Sequence, residues 1–298
     1  MKKLNPTAKT LIALFLTVAI LPLMLISYNF AERLYPNAIL NLRREFLYIG
    51  ADIKLIGYDG DTVETSLDEI MSLPDTHFQN SMMIVSADFP ITDAVIFDGI
   101  NEYKDTDVMF DISAHGAFGE LSSFILGEFG EKLYITSAYR TQSEQQQLFD
   151  EKGSAVAQRP GESEHQTGLA LDVAVKGFGG SSFLKTDVGK YINLYSWRYG
   201  FIIRYPEGKT HITKIDYEPW HIRYVGAPHA EYMSKNSITL EEYLASLEEN
   251  NLRTFDKIPN YAVIKVKASS AFLAPREYSS CIVSPDNCGN YIITFLLG

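Results

Sequence analysis

Apolar and polar positions divide the chain into stretches of different kind. From Leu11 onward only Thr17 is polar until Ser27, and the run closes at Phe30, giving 20 residues. As a helix that is about 30 Å, the thickness of a bilayer's hydrocarbon core. Next, Ile39, Leu42, Phe46 and Ile49 recur at helical spacing with Arg43, Arg44 and Glu45 between them, which predicts an amphipathic juxtamembrane helix. Residues 51–80 hold a short strand-like run at 53–58, an Asp59-Gly60 turn and an acidic stretch. They carry no chemical motif, and 31–80 reads as a stalk.

From Ser81 the pattern is that of a compact mixed domain, opening on a strand-like run at 82–85. Phe118, Leu121, Ile125 and Phe129 mark one face of a helix ending at Gly130, followed by a short strand at 133–138. Ser143 to Gln146 has the spacing of a capping box, so a helix is expected from Ser143 to Gly153. Residues 168–173 alternate: Leu169, Leu171 and Val173 share one face, Gly168, Ala170 and Asp172 the other. Small residues therefore clear space beside one carboxylate. A helix at 187–198 ends at Gly200, strands are expected at 201–205 and 221–225, and Thr239 with Glu242 caps a helix running to 249. The domain closes at 250, and 251–298 is a β-rich appendage with strands at 261–267 and 291–297 around a turn at 285–289.

Composition narrows the function. With 46% apolar and 12% aromatic residues among 298, burial can offset chain entropy, so the chain folds. A net charge of −11 opposes binding to phosphate polymers, and nucleic acid is excluded as a partner. Residues 1–30 contain Lys2, Lys3 and Lys9 and no acid, so the amino terminus is expected in the cytoplasm and everything after residue 30 outside. The run exits through Ser27-Tyr28-Asn29-Phe30-Ala31 without an A-x-A pattern or a following Cys, which favours a retained single-pass membrane anchor (residues 1–30) over a cleaved signal. Cys281 and Cys288 flank the late turn; a disulfide is the simplest reading in an exported tail, and free thiols stay open.

Of the six histidines, His77, His115, His211 and His229 have neighbours that suggest only surface or hydrogen-bonding roles. His165 lies in a loop leading into the strand that presents Asp172, and His221 follows Glu218-Pro219-Trp220, where Pro219 disfavours helix at Glu218. Two imidazoles and one carboxylate suit a catalytic zinc with a fourth position for water, leaving Glu218 as a spare acid. Spacing alone leaves a second reading open, a core histidine with two surface acids.

The pattern S-x-H-x-x-G-x-A-x-D from Ser163 to Asp172, with E-P-W-H after it and Ser137-Ala138-Tyr139-Arg140 before it, resembles the VanY-type zinc D-alanyl-D-alanine carboxypeptidases of the M15 peptidase group. The likeness includes Gly200-Phe201-Ile202-Ile203-Arg204-Tyr205-Pro206 and residues 223–226, and covers 81–247. It departs at Ala138, where relatives often carry glycine. The resemblance implies an α+β fold, a small mixed or antiparallel sheet with flanking helices, here preceded by a transmembrane helix and followed by a β-rich tail. It implies Zn2+ on His165, Asp172 and His221, Glu218 as general base and acid, Arg140 on the oxyanion, and Ser163 with Gln145 on the substrate's terminal carboxylate. The expected substrate is a peptidoglycan stem peptide ending in D-Ala-D-Ala. An L,D-carboxypeptidase on tetrapeptide stems and a non-catalytic peptidoglycan-binding module are the alternatives.

Overall fold

The computed structural model describes residues 6–92, 95, 97–154 and 156–298, with the side chains of 8–21 outside that description. Two units divide the chain, Met1–Leu47 and Tyr48–Gly298. In the first, α1 (Pro6–Leu34) precedes α2 (Pro36–Leu47). Pro36 takes the first position of α2, where an N–H would be unpaired in any case. The expected membrane segment falls inside α1, but 11–21 lie outside the described side chains. Among the described residues no helix is long and apolar enough to cross a membrane.

In the second unit the chain runs β1 (Leu55–Gly57), β2 (Thr62–Thr65), α3 (Leu67–Met71), β3 (Thr76–Phe78), β4 (Ile100–Glu102), β5 (Met109–Asp111) and α4 (Ile112–Phe129). Then come β6 (Tyr134–Ser137), α5 (Gln142–Lys152), β7 (Ala170–Ala174), α6 (Asp187–Tyr195), β8 (Phe201–Ile203), α7 (Thr210–Thr213) and β9 (His221–Tyr224). The remainder is α8 (His229–Asn236), α9 (Leu240–Ser246), β10 (Arg253–Phe255), β11 (Ile258–Val266), β12 (Phe272–Pro275), β13 (Ser280–Pro285) and β14 (Tyr291–Leu296).

Two sheets organise this α+β unit. The first has the order β6-β7-β9-β8 and is antiparallel throughout. Phe118, Leu121 and Ile125 of α4 and Val188 and Ile192 of α6 share one core with Leu171, Val173, Phe201 and Ile222 of the strands, so the helices cover one face and leave the other free. The second has the order β1-β10-β11-β14-β13-β3. Its central strands are buried on both faces: Val263 and Ile292 pack with α8 and α9, while Ala262, Ile264, Ile293 and Phe295 pack with Leu67 and Ile70 of α3. Burial on both sides explains why β14 reads as a nearly continuous apolar run.

This second sheet changes the expected boundaries. Residues 48–80 are not a stalk: β1 pairs with β10, β2 with β12 and β3 with β13, joining them to the supposed appendage 251–298. The run at 82–85 is buried but is not a strand. Met82 N–H donates to Ser284 Oγ, Ile84 N–H to Asp286 O, and the Arg223 guanidinium donates to the carbonyls of Asn80, Ser81 and Met83. Its polar backbone is thus satisfied by two side chains and one backbone carbonyl where a ladder was expected. The capping box of α5 is Thr141 with Glu144, two residues before the expected pair. Both cysteines are free. Cys281 lies in β13 near Thr76, while Cys288 follows the strand's end; four residues of extended chain, about 13 Å, already exceed the Cα span of a disulfide.

Candidate active site

The free face of the first sheet is where the singled-out residues meet. Alternation along β7 sends Leu171 and Val173 into the core and Asp172 to the opposite face. Antiparallel register then sets Asp172 against His221 of β9 and against Ser137 of β6. His165 arrives from the 3-10 turn Glu164–Thr167, which ends at Gly168 with φ 71°. A Cβ on Gly168 would stand 2.3 Å from Ile100 Cδ1, so both the left-handed turn and the close approach require glycine. Ala138, the one departure from the family pattern, contributes its carbonyl, 2.8 Å from His165 Nδ1. That contact turns His165 Nε2 toward Asp172 Oδ2, 3.5 Å away.

His221 Nδ1 stands 3.0 Å from Asp172 Oδ1, and the three potential ligand atoms lie within 4.8 Å of one another. Ligands of a tetrahedral zinc at about 2.0–2.2 Å are separated by roughly 3.3 Å. Two imidazoles and one carboxylate at these spacings fit that ion. Burial would raise the Asp172 carboxyl, but hydrogen bonding to both histidines holds it well below the carboxylate range. Burial likewise disfavours a charged His221, yet Asp172 and Glu164 push it up to about 9. In the metal-free chain the imidazolium stands where a cation is wanted; metal binding would displace its proton.

A cavity of about 640 Å³ opens on this cluster, lined by Arg140, Gln145, Ser163, His165, Asp172, Glu218 and His221 together with Ser137, Tyr205, Ile215 and Trp220. All seven residues marked in the sequence therefore line one cavity. Glu218 stands 3.7 Å from His221 Nδ1 through Oε2, and burial raises its carboxyl above the usual range, with His221 opposing. Arg140 Nη1 donates to Gln145 Oε1 at 2.6 Å, and Gln145 Nε2 donates to Gln158 O at 2.6 Å. Gln145 thereby orients the guanidinium, while Arg140 Nε is buried without a partner.

Sequence reasoning assigned no role to the charges behind the cluster. Glu164 is 1% exposed; its Oε1 accepts from Arg204 Nε at 2.6 Å and forms an ion pair with Arg223 Nη1 at 2.9 Å. Burial raises this carboxyl, but the two guanidiniums hold it well below the usual range. Arg204 also donates to both oxygens of Glu241 on α9. The available signal was adjacency, since Glu164 sits inside the zinc motif and Arg204 and Arg223 inside flanking ones. Elsewhere, His115 Nε2 contacts Phe110 O, and His229 sits between Tyr243 and Thr294 hydroxyls.

Comparison with known proteins points one way. A family model described as VanY, D-alanyl-D-alanine carboxypeptidase, matches residues 114–227. A D-alanyl-D-alanine carboxypeptidase of Enterococcus faecium is 37% identical over 190 residues, 58% of this chain and 60% of its own length. The structure of VanYB in complex with D-alanine-D-alanine is 31% identical with a TM-score of 0.50, over 56% of this chain and 99% of that one. The vancomycin resistance D,D-dipeptidase VanXYg, 24% identical, shares the fold with a TM-score of 0.62 over 80% of this chain and 100% of its own. This chain spans 46% to 64% of the length of the curated relatives it matches.

Proposed function

Because the chain belongs to the VanY family of D-alanyl-D-alanine carboxypeptidases, we propose that it is a zinc-dependent D,D-carboxypeptidase releasing the terminal D-Ala of peptidoglycan stem pentapeptides or their precursors. One observation carries the reading: three ligand atoms of zinc type, the half-buried Glu218 carboxyl and the Arg140 guanidinium converge on one cavity.

His165, Asp172 and His221 would hold the zinc, which when bound supplies a Lewis acid and brings its water toward a pKa of about 7. Glu218, raised by burial, accepts the proton of the attacking water and returns it to the leaving amine. Arg140 donates to the oxyanion as the carbonyl becomes tetrahedral; its charge persists at any working pH, and Gln145 fixes its orientation. Ser163 and the remaining amide N–H of Gln145 take the substrate's terminal carboxylate. A substrate ending in an amide loses that charge-assisted hydrogen bond, about 1.5–3 kcal/mol, and is expected to be cleaved roughly ten- to a hundredfold less efficiently.

We further propose that the chain sits at the outer face of the cytoplasmic membrane, anchored by the segment from Leu11 to Phe30. Lys2, Lys3 and Lys9 flank it on one side, and Leu23, Met24, Leu25, Ile26 and Phe30 are each more than 60% exposed on α1, a surface that calls for apolar surroundings. Trimming D-Ala-D-Ala termini there remodels the wall and removes the group that glycopeptides bind.

The test is the protein with zinc and, in separate reactions, free-acid pentapeptide and tetrapeptide, read by mass. Loss of one Ala supports the reading. Cleavage of tetrapeptide alone assigns the L,D activity instead, and binding without cleavage assigns a peptidoglycan-binding module.

A further inference from the structure

We infer that Glu164 is a positioning residue for the metal ligand His221: it accepts the imidazole's Nε2–H and so leaves the Nδ1 lone pair for the ion. The inference rests on the zinc reading above and extends it to a residue outside the ligand set.

Two orphaned atoms carry it. His221 Nε2 and Glu164 Oε2 are each buried without a hydrogen-bond partner, and they face each other at 3.8 Å. One is a potential donor, the other an acceptor, and the gap exceeds a charge-assisted hydrogen bond by about 1 Å, which a small ring rotation closes. The opposite ring nitrogen, Nδ1, already faces Asp172 on the ligand side. A neutral imidazole has one N–H; if Nδ1 binds the ion, the proton must sit on Nε2, and a dry site requires an acceptor for it. Glu164 offers that acceptor: Oε1 takes the hydrogen bond from Arg204 and the ion pair with Arg223, whose Nη1 makes no hydrogen bond of its own, and Oε2 faces the imidazole.

The carboxylate is itself held from behind. Arg204 bridges Glu164 to Glu241 in the first turn of α9, and Leu240, Tyr243 and Leu244 of that helix are buried in the core shared with Phe255, Val263 and Ile292 of the second sheet. The β-rich sheet thereby backs the ligand through a chain of charges, a role for residues that contribute nothing to the cavity itself. A carboxylate behind a ligating histidine fixes its tautomer and strengthens it as a donor, and removing such a partner typically lowers metal affinity 10–100-fold.

The experiment uses the full-length zinc-loaded chain. In the wild type, histidine-ring ¹⁵N spectra are expected to show His221 protonated at Nε2, with a slowly exchanging, downfield N–H. In Glu164→Gln, chelator competition is expected to show 10–100-fold weaker zinc binding, and the Nε2–H resonance is expected to move upfield while the protein still melts cooperatively. Folded Glu164→Gln with wild-type affinity and an unmoved resonance overturns the inference. Should that variant fail to fold, the wild-type spectrum decides alone: a proton on Nδ1 of zinc-bound His221 overturns it. A wild-type chain that binds no zinc overturns the metal reading and this inference with it.

Discussion

His221 on β9 and His229 on α8 are buried almost equally, 3% and 4% exposed, yet their surroundings push them in opposite directions. Around His221 stand Asp172 at 3.0 Å, Glu218 at 3.7 Å and Glu164 at 3.8 Å; burial is outweighed and the imidazole is pushed up to about 9. His229 contacts the hydroxyls of Tyr243 at 2.7 Å and Thr294 at 2.8 Å, and burial pulls it down to about 3. The first region concentrates negative charge and calls for a cation. The second is a neutral joint linking α8 and α9 to β14. Burial alone therefore does not mark a functional histidine; the charge of its neighbours does.

The largest expected difference follows from removing each ring. His221→Ala should lose bound zinc and about three decades or more of kcat/KM, whereas His229→Ala should retain the metal and the specific activity of its folded fraction. Metal analysis and steady-state assays on the same preparations check this; equal losses in both variants break the comparison. Glu218→Gln sharpens it inside the charged region. The variant should keep its zinc and lose about 10²–10⁴ in turnover, because only proton transfer is removed. Loss of the metal would make Glu218 a ligand.

The charged region was legible because its code is local. Ser163, His165, Gly168 and Asp172 lie within one turn-and-strand segment, and alternation alone predicts that Asp172 leaves the core while Leu171 enters it. Glu218 and His221 come from one short motif, and Gly130 and Gly153 end their helices where expected, whereas α6 stops at Tyr195 and Gly200 closes the 3-10 turn Ser196–Tyr199 that follows it. What depended on distant partners was hidden. Strands β1 and β3, three residues each, are specified by pairing with β10 and β13 some two hundred positions away, so 48–80 looked like a stalk. The 82–85 run resembles a strand because its apolar residues are buried, but nothing local reveals that Arg223 satisfies the adjacent carbonyls. The capping box expected at Ser143–Gln146 lies two residues earlier, at Thr141 with Glu144.

Arg204→Met probes the cost of the charged region without touching a ligand. It leaves Glu164 with Arg223 alone and deprives Glu241 of its bidentate partner, so destabilisation of about 3–5 kcal/mol is expected from urea unfolding. A loss below about 1 kcal/mol would mean that the network is dispensable for stability.

The neutral joint should show a smaller effect with a distinctive pH dependence. The unfolded chain's His229 takes up a proton near pH 6.5, the native one only near pH 3, because burial disfavours the imidazolium. Between those values the unfolded state binds the extra proton, so this residue's stabilising contribution is complete above about pH 6.5 and falls by about 1.4 kcal/mol for each unit below it. His229→Gln cannot titrate and should be about 1–2 kcal/mol less stable than the wild type at pH 7.5, through imperfect bonds to Tyr243 and Thr294. At pH 5 the wild type alone has lost about 2 kcal/mol at this position, so the two should become equal or change order. Urea unfolding of both proteins across pH 5–7.5 measures the gap, and a gap independent of pH would show that His229 is not kept neutral by its burial.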